Sequence, residues 1–168
     1  MKRLLVLAAL CSSAFASAQG IGSPVNLSMR LGYVLPLDEF TRDITGNMIG
    51  FGADYYLERS LFEGGETFLS LDWMGRGMNG DKGNMFPICL NQRWFVGGDY
   101  ESGNRRYYHL GAGVAIVDVV TTKTVMGFRA GYGAELGPHV FAELNFVWSE
   151  EASGARANSI GGYIGYRF

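Results

Sequence analysis

Cysteine, histidine and proline are scarce in this chain, and long apolar runs are missing from most of it. Its 168 residues include two cysteines, two histidines and four prolines. Cys11 lies near the start and Cys89 in the body of the chain, so the body alone cannot form an internal disulfide. No run of apolar residues in the body approaches the ~18 of a membrane-spanning helix. A net charge of −2 provides no basic surface for nucleic acid, and no such partner is expected.

The first 18 residues have the pattern of a secretory signal peptide. Lys2 and Arg3 form a positive start, residues 4–10 form a short apolar stretch, and residues 16–18 (Ala-Ser-Ala) form a small-residue cleavage site. The predicted mature chain, residues 19–168, keeps twelve basic and sixteen acidic residues, because only Lys2 and Arg3 are removed. Its length is that of one domain.

We predict cleavage after Ala18. Lipid attachment at Cys11 is disfavoured, because Leu10 occupies the position where a lipoprotein signal needs a small residue. Mass spectrometry of the exported protein should give a chain that begins at Gln19. A chain that begins at a lipidated Cys11 would contradict this prediction.

Hydrophobic residues and glycine are abundant. The chain is 48% hydrophobic and 14% aromatic, and it contains 25 glycines. Apolar residues alternate with glycine or polar residues over segments of about ten residues, which are bounded by turn-forming residues. This pattern predicts an all-β fold with eight antiparallel strands in up-and-down order. The predicted strands are 25–35, 48–57, 67–74, 88–96, 107–117, 125–136, 139–148 and 158–168.

The two faces of the predicted strands differ in kind. The first, here called the apolar face, has no charged residue, and only Thr67, Gln92 and Gly162 interrupt its apolar and aromatic side chains. The second, here called the polar face, carries ten glycines and eight charged residues. The charged residues are Arg30, Asp54, Asp72, Arg93, Arg129, Glu135, Glu143 and Arg167.

The space inside a barrel determines which face points inward. An eight-stranded barrel has an interior just wide enough for side chains. Large apolar groups from eight strands would overfill it, whereas glycines and a few long polar side chains fit. Glycine at solvent-exposed strand positions would only weaken the strands. We therefore predict an eight-stranded transmembrane β-barrel whose apolar face contacts lipid, and whose closure pairs the backbone groups as hydrocarbon requires.

Aromatic residues near strand ends predict girdles at the two membrane–water boundaries, although aromatic residues also favour strands in general. The predicted girdle residues are Trp73, Trp94, Trp148 and Tyr166. Two residues fit the pattern poorly. Gln92 would face lipid, and Pro87 is expected at the start of the fourth strand or in a bulge, because it cannot donate a ladder hydrogen bond.

The eight charges of the polar face, four of each sign, predict a buried network of Arg–carboxylate pairs. A structural plug is favoured and a gated conduit stays the alternative, since unpaired charge in a narrow barrel is costly. Catalysis is not expected, because neither His109 nor His139 has a serine within a few residues. The histidines also lack the cysteine or acidic cluster of a metal site. No cofactor is expected, since the Gly-x-Gly string at 131–133 lies within a predicted strand.

The last ten residues, 159–168, alternate between apolar and small or polar side chains and end on Phe168. This ending resembles the closing strand of bacterial outer-membrane barrels, whose terminal Phe is part of a signal read by the barrel assembly machinery. With its signal peptide and strand pattern, the chain resembles the OmpA/OmpX/OmpW-like outer membrane protein β-barrel superfamily.

The resemblance implies residence in the bacterial outer membrane, contact with outer-membrane lipid and recognition of Phe168 during assembly. It also implies a role in the integrity of the cell envelope or in the passage of small molecules. We expect a non-enzymatic protein with a structural role, and a monomer. Two alternatives stay open. One is a small pore for small or hydrophobic solutes, and the other is a secreted soluble β-barrel that binds an apolar ligand.

Overall fold

The computed structural model describes residues 26–76, 83–98 and 104–168, and the predicted signal peptide lies outside these residues. It contains eight strands and one short helix. They are β1 (Leu27–Pro36), α1 (Glu39–Thr45), β2 (Met48–Tyr56), β3 (Gly65–Gly75), β4 (Asn84–Phe95), β5 (Arg106–Asp118), β6 (Thr122–Glu135), β7 (Val140–Ser149) and β8 (Ser159–Arg167).

The eight strands form a closed antiparallel barrel in which each strand pairs with its neighbours in sequence and β8 pairs with β1. Paired residues followed once around the barrel lead from Asn26 to Pro36, a stagger of ten residues. Closure with a fixed stagger tilts the strands and leaves no unpaired sheet edge. The predicted up-and-down barrel is confirmed.

The apolar face points outward, as predicted. Leu110, Phe128 and Leu144 are 55%, 43% and 60% exposed, whereas Arg129 and Glu143 are 2% and 3% exposed. Because successive residues of a strand point to opposite faces, the direction of one side chain fixes the direction of all the others along that strand. The wall is therefore apolar outside and polar inside, the reverse of a water-soluble barrel.

Glycines of the polar face make room for large interior side chains. The ring of Tyr163 lies where side chains at Gly32, Gly50 and Gly161 would project. Tyr107 occupies the same kind of space beside Gly133. The glycines thus shape the interior, because any Cβ at these positions would collide with a bulky neighbour.

Helix α1 lies in a segment that the sequence pattern predicts to be a connector. Its N-cap is Asp38, whose carboxylate accepts a hydrogen bond of 2.9 Å from the backbone N–H of Thr41. The helix ends at Thr45, and its C-cap is Gly46, which has a positive φ of 61° that glycine tolerates. At seven residues, the helix is too short for a clear helical period in the sequence.

No helix among residues 26–76, 83–98 and 104–168 is long and apolar enough to cross a membrane.

Pro87 lies inside β4, and the expectation that it would stand at the strand's start or in a bulge is wrong. The register of β3 with β4 is the same on both sides of it, with Leu71 opposite Ile88 and Met74 opposite Met85. A bulge would shift that register by one residue. The ladder is instead interrupted on the β3 side only, while Pro87 pairs in register with Ala115 of β5.

We predict that Gly32→Ala destabilises the barrel and that Gly127→Ala does not. A methyl group at Gly32 would meet the ring of Tyr163 and the carbonyl oxygen of Gly162, whereas at Gly127 the nearest atom, Ala115 Cβ, is 3.4 Å away. Overpacking should lower the free energy of unfolding of Gly32→Ala by about 1–3 kcal/mol. Gly127→Ala should stay within about 0.5 kcal/mol of the parent in the same urea titration in lipid vesicles. Equal losses would contradict the role given to Gly32.

Candidate functional site: the barrel interior

Six charged side chains form a central ion cluster inside the barrel. They are Arg30, Asp54, Asp72, Arg93, Arg129 and Glu143, and none is more than 7% exposed. The cluster contains three cations and three anions, and its members come from β1, β2, β3, β4, β6 and β7. Burying a charge is costly unless it is paired, so the equal numbers matter for stability.

Two arginines of the cluster, Arg30 and Arg129, each contact more than one carboxylate. Arg30 donates hydrogen bonds to Asp54 and Asp72 through its two terminal nitrogens. Arg129 Nη2 lies 2.8 Å from Glu143 Oε1, and Arg129 Nη1 lies 3.5 Å from Asp54 Oδ1 and 3.6 Å from Asp72 Oδ2. Arg30 and Arg129 therefore share the two aspartates, and the charges form one connected group.

Neutral side chains complete the hydrogen bonding around Glu143. The Tyr107 hydroxyl donates to Glu143 Oε2 at 3.0 Å, and the Asn145 amide donates to Glu143 Oε1. Asn145 Oδ1 in turn accepts from Arg129 Nε at 3.0 Å and lies 3.0 Å from His109 Nε2. These contacts fix the carboxylate from several sides, which makes its charge-assisted hydrogen bonds directional.

Arg93 is held mainly by aromatic rings. Its guanidinium carbon lies 4.1 Å from the ring centroid of Tyr107, 5.0 Å from that of Phe68 and 5.1 Å from that of Tyr56. Its nearest carboxylate oxygens, in Glu66 and Glu143, are 3.7 and 3.8 Å away. Cation–π attraction thus supplements the longer ion pairs of this residue.

Glu135 and Arg167, the other two charges of the predicted network, lie at the mouth where β1 begins and β8 ends, here called the lower end. Glu135 accepts two hydrogen bonds from Arg105, of 2.6 and 2.7 Å. Arg167 donates two hydrogen bonds of 3.2 Å to Glu66. The structure therefore brings together six of the eight predicted charges and places these two in half-buried pairs at the rim. Glu66 also lies 3.7 Å from Arg93, so the Arg167 pair borders on the cluster.

An apolar plug fills the opposite, upper end of the barrel. Its inward-pointing members from the strands include Val34, Met48, Met74, Val117 and Val147. Residues of the loops, namely Val119, Ala152, Ala155 and Ala157, pack on the same cluster. The interior is filled by side chains, and at this end those side chains are apolar.

Helix α1 and the β7–β8 loop lie against each other at this upper end. The Thr41 hydroxyl donates to the carbonyl oxygen of Arg156 at 3.0 Å, and the N–H of Leu37 donates to the carbonyl oxygen of Asn158 at 2.8 Å. Thr41 and Thr45 are fully buried. The plug residues were visible in the sequence as apolar residues on both faces near the strand ends, but that signal does not say what they pack against.

The predicted girdle residues divide between the two ends. Trp94 stacks on Tyr108 with ring centroids 5.3 Å apart, and Tyr166 stacks on His139 at 5.3 Å, both at the lower end. At the upper end Trp73 donates a 3.0 Å hydrogen bond to Asn84 through its indole N–H. Trp148, at the same end, packs on Phe128 at 5.6 Å. Side chains with an apolar body and a polar tip at these levels are typical of membrane boundaries.

Known proteins match this chain in structure and not in sequence. No protein-family model matches it, and no curated protein does. The N-terminal β-barrel domain of Pseudomonas aeruginosa OprF superposes with a TM-score of 0.51 at 14% identity, over 87% of this chain and 100% of that one. The Yersinia pestis outer membrane protein Ail, solved in a phospholipid bilayer nanodisc, gives 0.51 at 19% identity, over 84% of this chain and 98% of that one.

The chain has the fold of the small outer-membrane barrels. At these identities the likeness concerns the path of the backbone, so the side chains of this barrel must be interpreted from their own contacts. Both alignments span nearly the full length of the compared barrels, and the shared element is the closed eight-stranded wall.

The two histidines lie in different parts of the barrel. His109 lies in the interior, 3.0 Å from Asn145 Oδ1 and 3.5 Å from Glu143 Oε2. His139 lies in the lower β6–β7 turn, where its ring nitrogen is 2.9 Å from the carbonyl oxygen of Arg167. Among residues 26–76, 83–98 and 104–168, no three His, Cys, Asp or Glu side chains are grouped as metal ligands are.

We predict that Arg129→Met strongly destabilises the barrel, because it leaves three buried carboxylates facing two arginines. The expected loss is about 3–5 kcal/mol in the free energy of unfolding, measured by urea titration in lipid vesicles. Arg156→Gln is the control, because the Arg156–Glu151 pair is solvent-exposed at 45% and 56%. That substitution should cost less than about 1 kcal/mol.

The double variant Arg129→Met/Glu143→Gln separates charge balance from lost packing. It restores equal numbers of buried charges, so its loss should fall short of the sum of the two single losses by about 1–3 kcal/mol. Strict additivity would show that Arg129 and Glu143 do not stabilise each other.

Proposed function

We propose that this protein is an integral, non-enzymatic barrel of the bacterial outer membrane with a structural role in the cell envelope. The observation that carries the proposal is the inverted wall: large apolar side chains cover the outside while six charges are buried inside. The proposal has two parts, residence in lipid and an interior closed to solutes, and different features support each.

The exposed apolar surface supports residence in lipid. Side chains such as Leu31 on β1 (61% exposed), Leu71 on β3 (51%) and Leu110 on β5 (55%) come from strands that are spaced around the barrel. A water-soluble protein rarely exposes contiguous apolar patches larger than a few hundred Å². A secreted soluble barrel that binds an apolar ligand would need an apolar interior and a polar outer surface. In this barrel the central ion cluster fills the interior instead.

The filling of the interior supports a closed barrel over a pore. At the middle level the ion cluster spans from Arg30 on β1 to Glu143 on β7, and Arg93 is enclosed by three aromatic rings. Above it lies the apolar plug, where Met48 and Met74 are each 1% exposed. Water and ions would have to displace both layers in order to cross.

The closing strand supports assembly in an outer membrane. The backbone N–H of Phe168 donates to the carbonyl oxygen of Leu27 at 3.0 Å, which extends the seam between β8 and β1, and its ring lies 5.2 Å from that of Tyr166. We include in the proposal that the barrel assembly machinery recognises Phe168. The barrel is proposed to be a monomer, because closure leaves no strand edge for another copy to pair with.

Fractionation and planar-bilayer recording test the proposal together. The protein should stay in the membrane pellet after high-salt and carbonate washes, dissolve only in detergent, and migrate differently on gels before and after heating. Reconstituted barrels should give no steady conductance. Release without detergent would refute the membrane placement, whereas steady, large openings from a heat-modifiable barrel would refute the closed interior and favour the pore.

A further inference from the structure

The turn that joins β2 to β3, residues 58–64, folds back onto the outer wall of the barrel. Ser60 and the side chain of Gln92 are joined by a 2.9 Å hydrogen bond from Gln92 Nε2 to Ser60 Oγ. The backbone N–H of Leu61 donates to Thr67 Oγ1 at 2.7 Å, and Thr67 Oγ1 also donates to Gln92 Oε1 at 2.5 Å. The turn is therefore fastened to two side chains of the wall.

Thr67 and Gln92 belong to the apolar face, yet they are 0% and 5% exposed. The expectation that Gln92 would face lipid is therefore wrong, because the turn covers it. Their polar atoms bond to each other and to the turn, so a polar interruption of the apolar wall becomes the attachment point of residues 58–64. In hydrocarbon an uncovered amide would cost several kcal/mol.

The tip of the turn carries two large apolar side chains with nothing above them in the described chain. Leu61 and Phe62 are 61% and 60% exposed. The ring of Phe62 lies 6.4 Å from that of Trp94, which itself stacks on Tyr108. Phe62 thus extends the row of aromatic rings at the lower end. Charged side chains that are also exposed flank the tip at Glu58, Arg59 and Glu63.

We infer that residues 58–64 anchor the barrel in the lipid interface, with Leu61 and Phe62 inserted at the headgroup–acyl boundary of a phospholipid surface. Two observations support lipid as the partner: the turn attaches to the apolar outer side of the wall, and its ring continues the aromatic row at the lower end. The inference rests on the proposed residence in a bilayer.

Tryptophan fluorescence in vesicles of brominated phosphatidylcholine tests the anchor. In a background with Trp73→Phe, Trp94→Phe and Trp148→Phe, three variants each carry one tryptophan. They are Phe62→Trp at the tip, Arg59→Trp in the same turn and Leu144→Trp on the wall at the middle of β7, where Leu144 is 60% exposed. Bromine quenches nearby tryptophan, so lipids brominated close to or far from the headgroup report depth.

Phe62→Trp should be quenched most by bromine close to the headgroup and Leu144→Trp by bromine deep in the chains, while Arg59→Trp should be quenched several-fold less than either. If Leu144→Trp is quenched and Phe62→Trp behaves like Arg59→Trp, the tip lies in water, the anchor is refuted and a protein partner for the tip becomes the better explanation. If Leu144→Trp is itself unquenched in a heat-modifiable barrel, the bilayer proposal fails instead.

A second pair of variants in the otherwise native chain decides the question if the single-tryptophan chains do not fold. Leu61→Ser/Phe62→Ser should lower the folded-to-unfolded ratio in vesicles about tenfold, since it removes two partly buried apolar groups from the interface. Glu58→Ser/Glu63→Ser alters the same turn without touching its apolar tip and should change the ratio less than about twofold. Equal changes in the two variants would overturn the anchor.

Discussion

Pairing of charge inside a narrow tube is the interaction on which the rest of this structure depends. Three guanidinium groups and three carboxylates are enclosed where water has little access, and they draw on six of the eight strands. Neighbouring strands are already joined by ladder hydrogen bonds. The ion cluster adds contacts across the barrel, for example between Arg129 of β6 and Asp54 of β2, which no ladder can supply. Because the cluster has equal numbers of positive and negative groups, each buried charge has a partner of opposite sign, which offsets the cost of burial.

The limited space inside the barrel is the second constraint, and glycines on the inner face provide room for the large side chains. Side chains as large as Tyr163, Tyr107 and arginine fit inside an eight-stranded wall only where the adjacent strand positions have no Cβ. The same glycines would be a liability in a wall that faced water. The interior changes character along its axis, from paired charges in the middle to methionine and valine at the upper end, so the upper end is closed by packing instead of by charge.

The outer surface of the wall suits the hydrocarbon environment that we propose for it. Apolar side chains cover the middle levels, aromatic residues such as Trp94 and Trp148 stand near the two ends, and the polar pair Thr67 and Gln92 is covered by the turn after β2. The lower turn and the wall therefore act as one surface, in which the side chains of Thr67 and Gln92 have hydrogen-bond partners. This is the condition that a hydrocarbon environment sets.

Alternation with a period of two determined much of this protein from sequence alone. It predicts eight strands within a few residues, their up-and-down order and eight charges on the inner face, six of which form the cluster, because the face to which a strand residue points is a local property. Only the tertiary structure decided which of these charges meet, why Glu135 and Arg167 pair instead with Arg105 and Glu66, and that Val34 and Met48 close the upper end. Contacts across a barrel follow from register and stagger, which join residues far apart in the chain, and no local pattern records them.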